Sequence, residues 1–287
     1  MSKNIIPLSS KNEELVAPTV KDDENFCREK LSSINYYRLS AYFLPYKADS
    51  ESYIEGTSFE KVYNVYEFDR KLRRLIFSAI EELEIYLRTS ISYYHSMKYG
   101  PLGYMDETNF SKAHDDEKFK DAIGREIDNN RKVLFVKHHI DNYDGQLPLW
   151  VMSELFTFGT LSYFYNDLIT ADQKAIATET FGLNYKVVKS WLRCCTDLRN
   201  ICAHYGRLYY RIFSAVPADL EDKCTKGQKC RLFGALMMLK EFYPFKEKWN
   251  EEFLKELESM IGEYKNDIDL YHIAFPKDWK QRLQTEI

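Results

Sequence analysis

Thr57-Ser58-Phe59-Glu60-Lys61-Val62 opens, and Tyr99-Gly100-Pro101 closes, the segment that decides the fold class. Between them apolar residues recur at Val62, Val65, Tyr66, Leu72, Leu75, Ile76, Ala79, Ile80, Leu83, Leu87, Ile91 and Tyr94. Steps of three and four place them on one face of a helix. Thr57 and Glu60 have the spacing of a capping box, in which the hydroxyl caps the first turn and the glutamate reaches back. Gly100 suits a left-handed cap, and Pro101 cannot continue a helix. About 40 residues at about 1.5 Å each give a rod of about 60 Å, onto which a helical core can pack.

Helical patterns continue on both sides. They predict helices near 22–33 and 36–45, then 115–138, 149–167 behind Pro148, and 170–182 behind a second capping box, Thr170-Ala171-Asp172-Gln173. Further on they predict 185–211 with a break near Gly206, then 229–243, 245–264 and 277–284. No sustained alternation of period two and no hairpin signal appear. The fold class expected is all-α, one bundle with peripheral helices. Residues 1–21 are polar, carry Pro7 and Pro18, and read as a flexible N-terminal arm; residues 22–287 read as a single all-helical domain.

With 45% hydrophobic and 15% aromatic residues in 287, the chain can fill a large core. Its 22 tyrosines serve amphipathic packing or a face that stacks bases. Net charge is −4, so no global basic character announces nucleic acid. The cations are local. Lys186, Lys189, Arg193, Arg199, Arg207 and Arg211 face only Asp197 in their segment, and Arg70-Lys71-Leu72-Arg73-Arg74 forms a second cluster. Such patches hold a polyanion selectively, although the second cluster also reads as a solvated helix face. The cysteines Cys27, Cys194, Cys195, Cys202, Cys224 and Cys230 lack the paired short spacings of a zinc site. With no apolar signal segment and no membrane-length apolar run, a cytoplasmic protein without membrane contact is expected.

The chemistry-bearing motif is Leu198-Arg199-Asn200-Ile201-Cys202-Ala203-His204, followed by Tyr205, Arg207, Tyr209, Tyr210 and Arg211. Arginine offers phosphate a fixed cation and a fork of donors. Histidine gives or takes a proton near neutral pH. On a continuous helix Arg199 and His204 stand about 140° apart, whereas His204, Arg207 and Arg211 share a face. A second pair, Arg88 and His95, shares a helix face at i and i+7 and offers an alternative half-site. Arg88 also stands four residues after Glu84, the spacing of a helix ion pair. His138-His139 beside Asp141 lacks a third histidine at ligand spacing, so no metal and no cofactor are expected.

Several blocks together resemble the Abi-like family of bacterial abortive-infection proteins, the AbiD/AbiF group with a HEPN domain. They are Ile34-Asn35-Tyr36-Tyr37-Arg38-Leu39-Ser40-Ala41-Tyr42, Tyr66-Glu67-Phe68-Asp69-Arg70-Lys71-Leu72-Arg73, Ile80-Glu81-Glu82-Leu83-Glu84-Ile85-Tyr86-Leu87-Arg88-Thr89, Leu147-Pro148-Leu149-Trp150, Phe158-Gly159-Thr160-Leu161-Ser162 and the segment from Leu198 to Arg207. The resemblance implies an antiparallel four-helix HEPN core. It implies metal-independent endoribonuclease activity through an Arg-x4-6-His motif, here Arg199 and His204, with Asn200 as the polar residue after the arginine. It implies a composite site, hence a homodimer, and toxin–antitoxin biology with a protein or non-coding RNA antitoxin. Asn200, Arg207, Arg211 and Arg88 are expected to support the site or bind RNA, with His95 as a second motif. Two other readings stay open: a non-catalytic RNA-binding protein and a helical interaction protein.

Overall fold

The computed structural model describes residues 24–48 and 52–286, and among them the secondary structure is helical with two isolated β-bridges. The expected arm at 1–21 lies outside the described residues. Helices α1 (Glu24–Ser33) and α2 (Tyr36–Phe43) precede the long α3 (Phe59–Tyr99). Then come α4 (Asp116–Asn129), α5 (Leu134–Asn142), the short α6 (Leu149–Met152), α7 (Phe158–Asp167), α8 (Thr170–Phe181) and α9 (Tyr185–Ala203). The C-terminal part holds α10 (Lys226–Lys229), α11 (Leu232–Phe242), α12 (Lys246–Lys248), a π-helical stretch at Trp249–Leu254, α13 (Lys255–Glu263) and α14 (Trp279–Leu283).

Helix α3 forms for the reasons its sequence gives. Val62, Val65, Leu72, Ile76, Ile80, Leu83, Leu87 and Ile91 are all buried on one face. Its cap is Ser58 rather than Thr57: the Ser58 hydroxyl accepts from the Lys61 amide at 3.0 Å. Phe59, buried at the first helical position, sets that register. Gly100 ends the helix at φ +82° with ψ 174°, an extended left-handed exit rather than an αL cap.

Helices α3, α7, α8 and α9 pack on one another and form the frame around the site. Helix α9 runs against α3 in the opposite direction, since Arg199 meets Glu84 whereas Gly206 meets Arg73 further back. Buried Asp172 ties α8 to α3 by accepting from Tyr94 at 3.2 Å, Tyr99 at 2.7 Å and Lys98. The C-terminal segment closes on the same body: Trp249, fully buried, donates its indole N–H to the Leu283 carbonyl at 2.8 Å.

Two expected helices are broken, and a third stops slightly before the break expected near Gly206. The 115–138 helix is α4 and α5, separated where Asn130 leaves the α region at φ −108°, ψ 14°. The 149–167 helix stops after α6 and a 3-10 turn, and Thr157 caps a fresh start by accepting from the Thr160 amide at 3.0 Å. The 185–211 helix stops at Ala203, before Gly206. The box at Thr170 does not form, because Gln173 instead donates to the carbonyls of Asn166 and Leu168, at 2.7 and 2.8 Å.

Candidate active site

The site is organised by how α9 ends. His204 is its C-cap, with φ −93° and ψ 16°. Tyr205 takes a left-handed conformation at φ +59°. The Gly206 amide then donates to the Ile201 carbonyl at 2.7 Å, and the Tyr205 amide to Cys202 at 3.2 Å. That bond pair is a Schellman closure. Gly206 suits this close approach: a Cβ on it would stand a tight 3.0 Å from Ile201 Cγ2 and 3.2 Å from the Ile201 carbonyl oxygen. Tyr205 occupies the position where glycine is favoured, and a bulky residue there carries backbone strain of about 1 kcal/mol.

That strained turn is held from below by a buried network. Asp69 and Arg73, on one turn of α3, pair at 2.6 Å. Asp69 also accepts from Tyr42 on α2 and from the main-chain amides of Leu208 and Tyr209. Arg73 reaches the Gly206 carbonyl at 3.4 Å. Burial pushes the Asp69 carboxyl upward, opposed by Arg73, Tyr42 and the two amides. Deleting one partner of such a buried pair costs about 3–5 kcal/mol. Arg73 therefore belongs to the core and corrects its reading as part of an exposed basic cluster. Arg70 and Lys71 are engaged too, with Glu67 and Glu263, leaving Arg74 exposed.

His204 stands on the rim of this turn. Its imidazole is exposed and has no hydrogen-bond partner among the described residues. Arg199 lies on the preceding turns of α9, half-buried, its guanidinium 5.8 Å from the Phe77 ring. Its Nε is buried 3.9 Å from Glu84 Oε2, too far for a hydrogen bond, and the guanidinium makes none among the described residues. The pair stands five positions apart along α9, so about 7.5 Å of helix rise lies between their Cα atoms. Glu84 is the residue that sequence reading undervalued. Its other oxygen pairs with Arg88, so the carboxylate sits between two guanidinium groups.

Arg88 is near this cluster but committed. It donates to the main-chain carbonyls of Ser153 and Phe156 as well as to Glu84, and so ties the turn after α6 to α3. His95 is remote in character. It is 1% exposed, with both ring nitrogens lacking a hydrogen-bond partner among the described residues, among Tyr99, Phe164 and Phe110 at ring distances of 5.0, 5.5 and 5.9 Å. Burial pushes its pKa down to about 4, so the ring is neutral at physiological pH. Buried there, it cannot touch a macromolecular substrate, which removes it as an exposed half-site.

Arg207 and Arg211 do not share a helix face with His204, because the helix has already ended. Arg207 folds back to the Ala41 carbonyl on α2 and sits between the rings of Tyr42 and Tyr210, at 5.6 and 5.7 Å. Arg211 donates to the Arg207 carbonyl at 3.3 Å. Asn200 is exposed and opens a groove of about 440 Å³ between α7 and α9, lined also by Arg193, Thr196, Ser162 and Tyr163. Lys189 and Arg193 continue it as a cavity of about 500 Å³.

Other reactive side chains are quiet. Burial pushes the thiols of Cys194 and Cys202 up to about 12 and that of Cys195 well up. His138 and His139 lie with ring planes at 86°, and His139 is bound to the Phe135 carbonyl. Among the described residues no group of three or more His, Cys, Asp or Glu side chains is placed to hold a metal ion, and no helix is long and apolar enough to cross a membrane.

No curated protein and no solved structure matches the chain. The sequence model of the Abi-like protein family matches residues 29–210, more than half of the length. That span contains α2, the Asp69–Arg73 pair, Glu84, Arg88, Arg199 and His204. The chain belongs to the Abi-like protein family, the abortive-infection group that its sequence blocks resemble.

Proposed function

We propose that this chain is a metal-independent endoribonuclease of HEPN type that arrests growth during phage infection. The observation that carries this reading is an exposed imidazole without a hydrogen-bond partner among the described residues at the end of α9, with the Arg199 guanidinium on the preceding turns of the same helix, 3.9 Å from Glu84. RNA brings its own nucleophile. The ribose 2′-oxygen attacks the adjacent phosphorus, a base takes its proton, the P–O5′ bond breaks, and an acid returns a proton to the leaving oxygen. Arg199 stabilises the negative charge that builds on the phosphoryl oxygens. The products are a 2′,3′-cyclic phosphate and a 5′-hydroxyl.

One His204 serves as base or as acid. The second proton-transfer group comes from His204 of another copy in a symmetric dimer, since His95 is enclosed in the core. The groove of Asn200, Arg193 and Lys189 carries the flanking RNA, and Asn200 faces it beside Arg199. Growth arrest requires a restraint outside phage infection, and a protein or RNA antitoxin is the partner this reading calls for.

The test is incubation of one end-labelled sequence, as RNA and as DNA, in excess chelator. The expected result is cleavage of RNA alone with cyclic phosphate ends. RNA binding without cleavage selects the non-catalytic alternative. Light scattering of the active species reports a dimer, and an active monomer refutes the shared site.

A further inference from the structure

Two sequence blocks far apart in the chain meet beside His204. Arg38, from α2, donates to the Tyr205 carbonyl at 2.9 Å, and Arg207 reaches back to Ala41. Between them lies a cavity of about 430 Å³ lined by Asn35, Tyr37, Arg38, Tyr205 and Arg207. Its volume suits a single nucleotide unit. Two of its tyrosines are poorly explained by packing: Tyr37 is 74% and Tyr205 68% exposed. Tyr205 is also the residue strained into the left-handed region, where glycine would relieve the backbone. A large aromatic ring kept exposed, at a conformational cost, next to the motif histidine points to a use for the ring.

We propose that this cavity is a nucleobase subsite for single-stranded RNA, with the base stacking on Tyr205 and Tyr37. It rests on the ribonuclease reading and adds where the nucleotide next to the scissile phosphate is held. Aromatic rings stack any base, and adjacent guanidinium groups attract the phosphates on either side. Each arginine here has one N–H on a main-chain carbonyl, and its remaining donors have no hydrogen-bond partner among the described residues. Arg38 also lies 5.8 Å from the Tyr205 ring, a spacing that holds the ring in place. The Asn35 side-chain oxygen is engaged in capping α2 through the Tyr37 amide, and its amino group has no hydrogen-bond partner among the described residues, which leaves it to read a base edge.

The experiment uses the full chain and a single-stranded 2′-O-methyl RNA, in which the blocked 2′-oxygen prevents cleavage. 2-Aminopurine is placed at each position in turn, because its fluorescence is quenched on stacking. Wild type and Tyr205→Phe should quench one position strongly. Tyr205→Gly and Tyr37→Ala should lose that quenching and bind about tenfold more weakly. Tyr205→Gly should melt no lower than wild type, which separates loss of the ring from loss of the fold. If wild type binds and cuts RNA while Tyr205→Gly and Tyr37→Ala keep affinity and quenching unchanged, the subsite is wrong and the ribonuclease reading survives. If wild type neither binds nor cuts RNA, both fall together.

Discussion

Two of the molecule's arginine–histidine pairs, one set five positions apart and the other seven, share little beyond their residue types. Arg199 and His204 lie where a helix ends, with an exposed imidazole and a largely unbonded guanidinium. Arg88 and His95 lie in the last third of α3, the arginine engaged by two carbonyls and a carboxylate, the histidine enclosed by aromatic rings. The same residue types serve as chemistry in one place and as architecture in the other. What separates them is the backbone. The Schellman turn at Tyr205 and Gly206 ends α9 and lifts His204 to the rim, whereas α3 runs on past His95 for another turn and buries it.

The largest effect should come from the exposed pair. His204→Ala is expected to lower the cleavage rate by about 10²–10⁴ with binding of uncleavable RNA retained. Single-turnover kinetics and a binding titration check it, and equal loss of both would mean that His204 holds substrate rather than moving protons. Arg199→Ala should lower cleavage by about 10²–10³ and weaken binding as well, because it removes both charge stabilisation and a phosphate contact. Glu84→Gln keeps the shape between the two guanidinium groups and should reduce cleavage less than Arg199→Ala, with little change in RNA affinity.

The buried pair should answer in stability. The folded pKa of His95, about 4, lies below the ordinary value of 6.5. The unfolded chain therefore binds the extra proton, and the stability that depends on a neutral ring is complete above about pH 6.5 and lost as pH falls toward 4. Up to about 3 kcal/mol is at stake across that window. His95→Phe should flatten that part of the stability–pH curve, read by urea titrations at several pH values. An unchanged slope would place the acid sensitivity elsewhere.

The smallest effects belong to the groove. Lys189→Ala and Arg193→Ala should each reduce the slope of log affinity against log salt by about one and lower affinity modestly on any sequence. These two are better probes than Arg207, whose replacement also unties the motif loop from α2. Slopes unchanged in both variants would move the RNA path off the face of α9 that carries them.

Much of this contrast was legible in the sequence, and the remainder was hidden for identifiable reasons. The long helix announced itself because its apolar steps are regular and Gly100-Pro101 follows them. The all-helical fold came from the same regularity. The end of α9 was harder to place: glycine usually marks the left-handed position itself, and here that position holds Tyr205 while Gly206 stands one later. The helical pattern therefore carries Arg207 and Arg211 past the point where the helix stops. The restart at Thr157 had a visible signal in its threonine three residues before Thr160. Asp69 and Arg73 had none, because a buried i,i+4 pair and a solvated one are spelled alike. Glu84 was visible only as Arg88's partner; its second contact, to Arg199, is made across helices.

The central claim is that the exposed pair cuts RNA and the enclosed pair does not. The direct measurement is the single-turnover cleavage rate of one RNA in excess EDTA by three folded proteins: wild type, His204→Ala and His95→Phe. Cyclic phosphate ends are expected from wild type and from His95→Phe at similar rates, with a collapse for His204→Ala. Cleavage by His204→Ala at the wild-type rate, or collapse for His95→Phe while it remains folded, would contradict it.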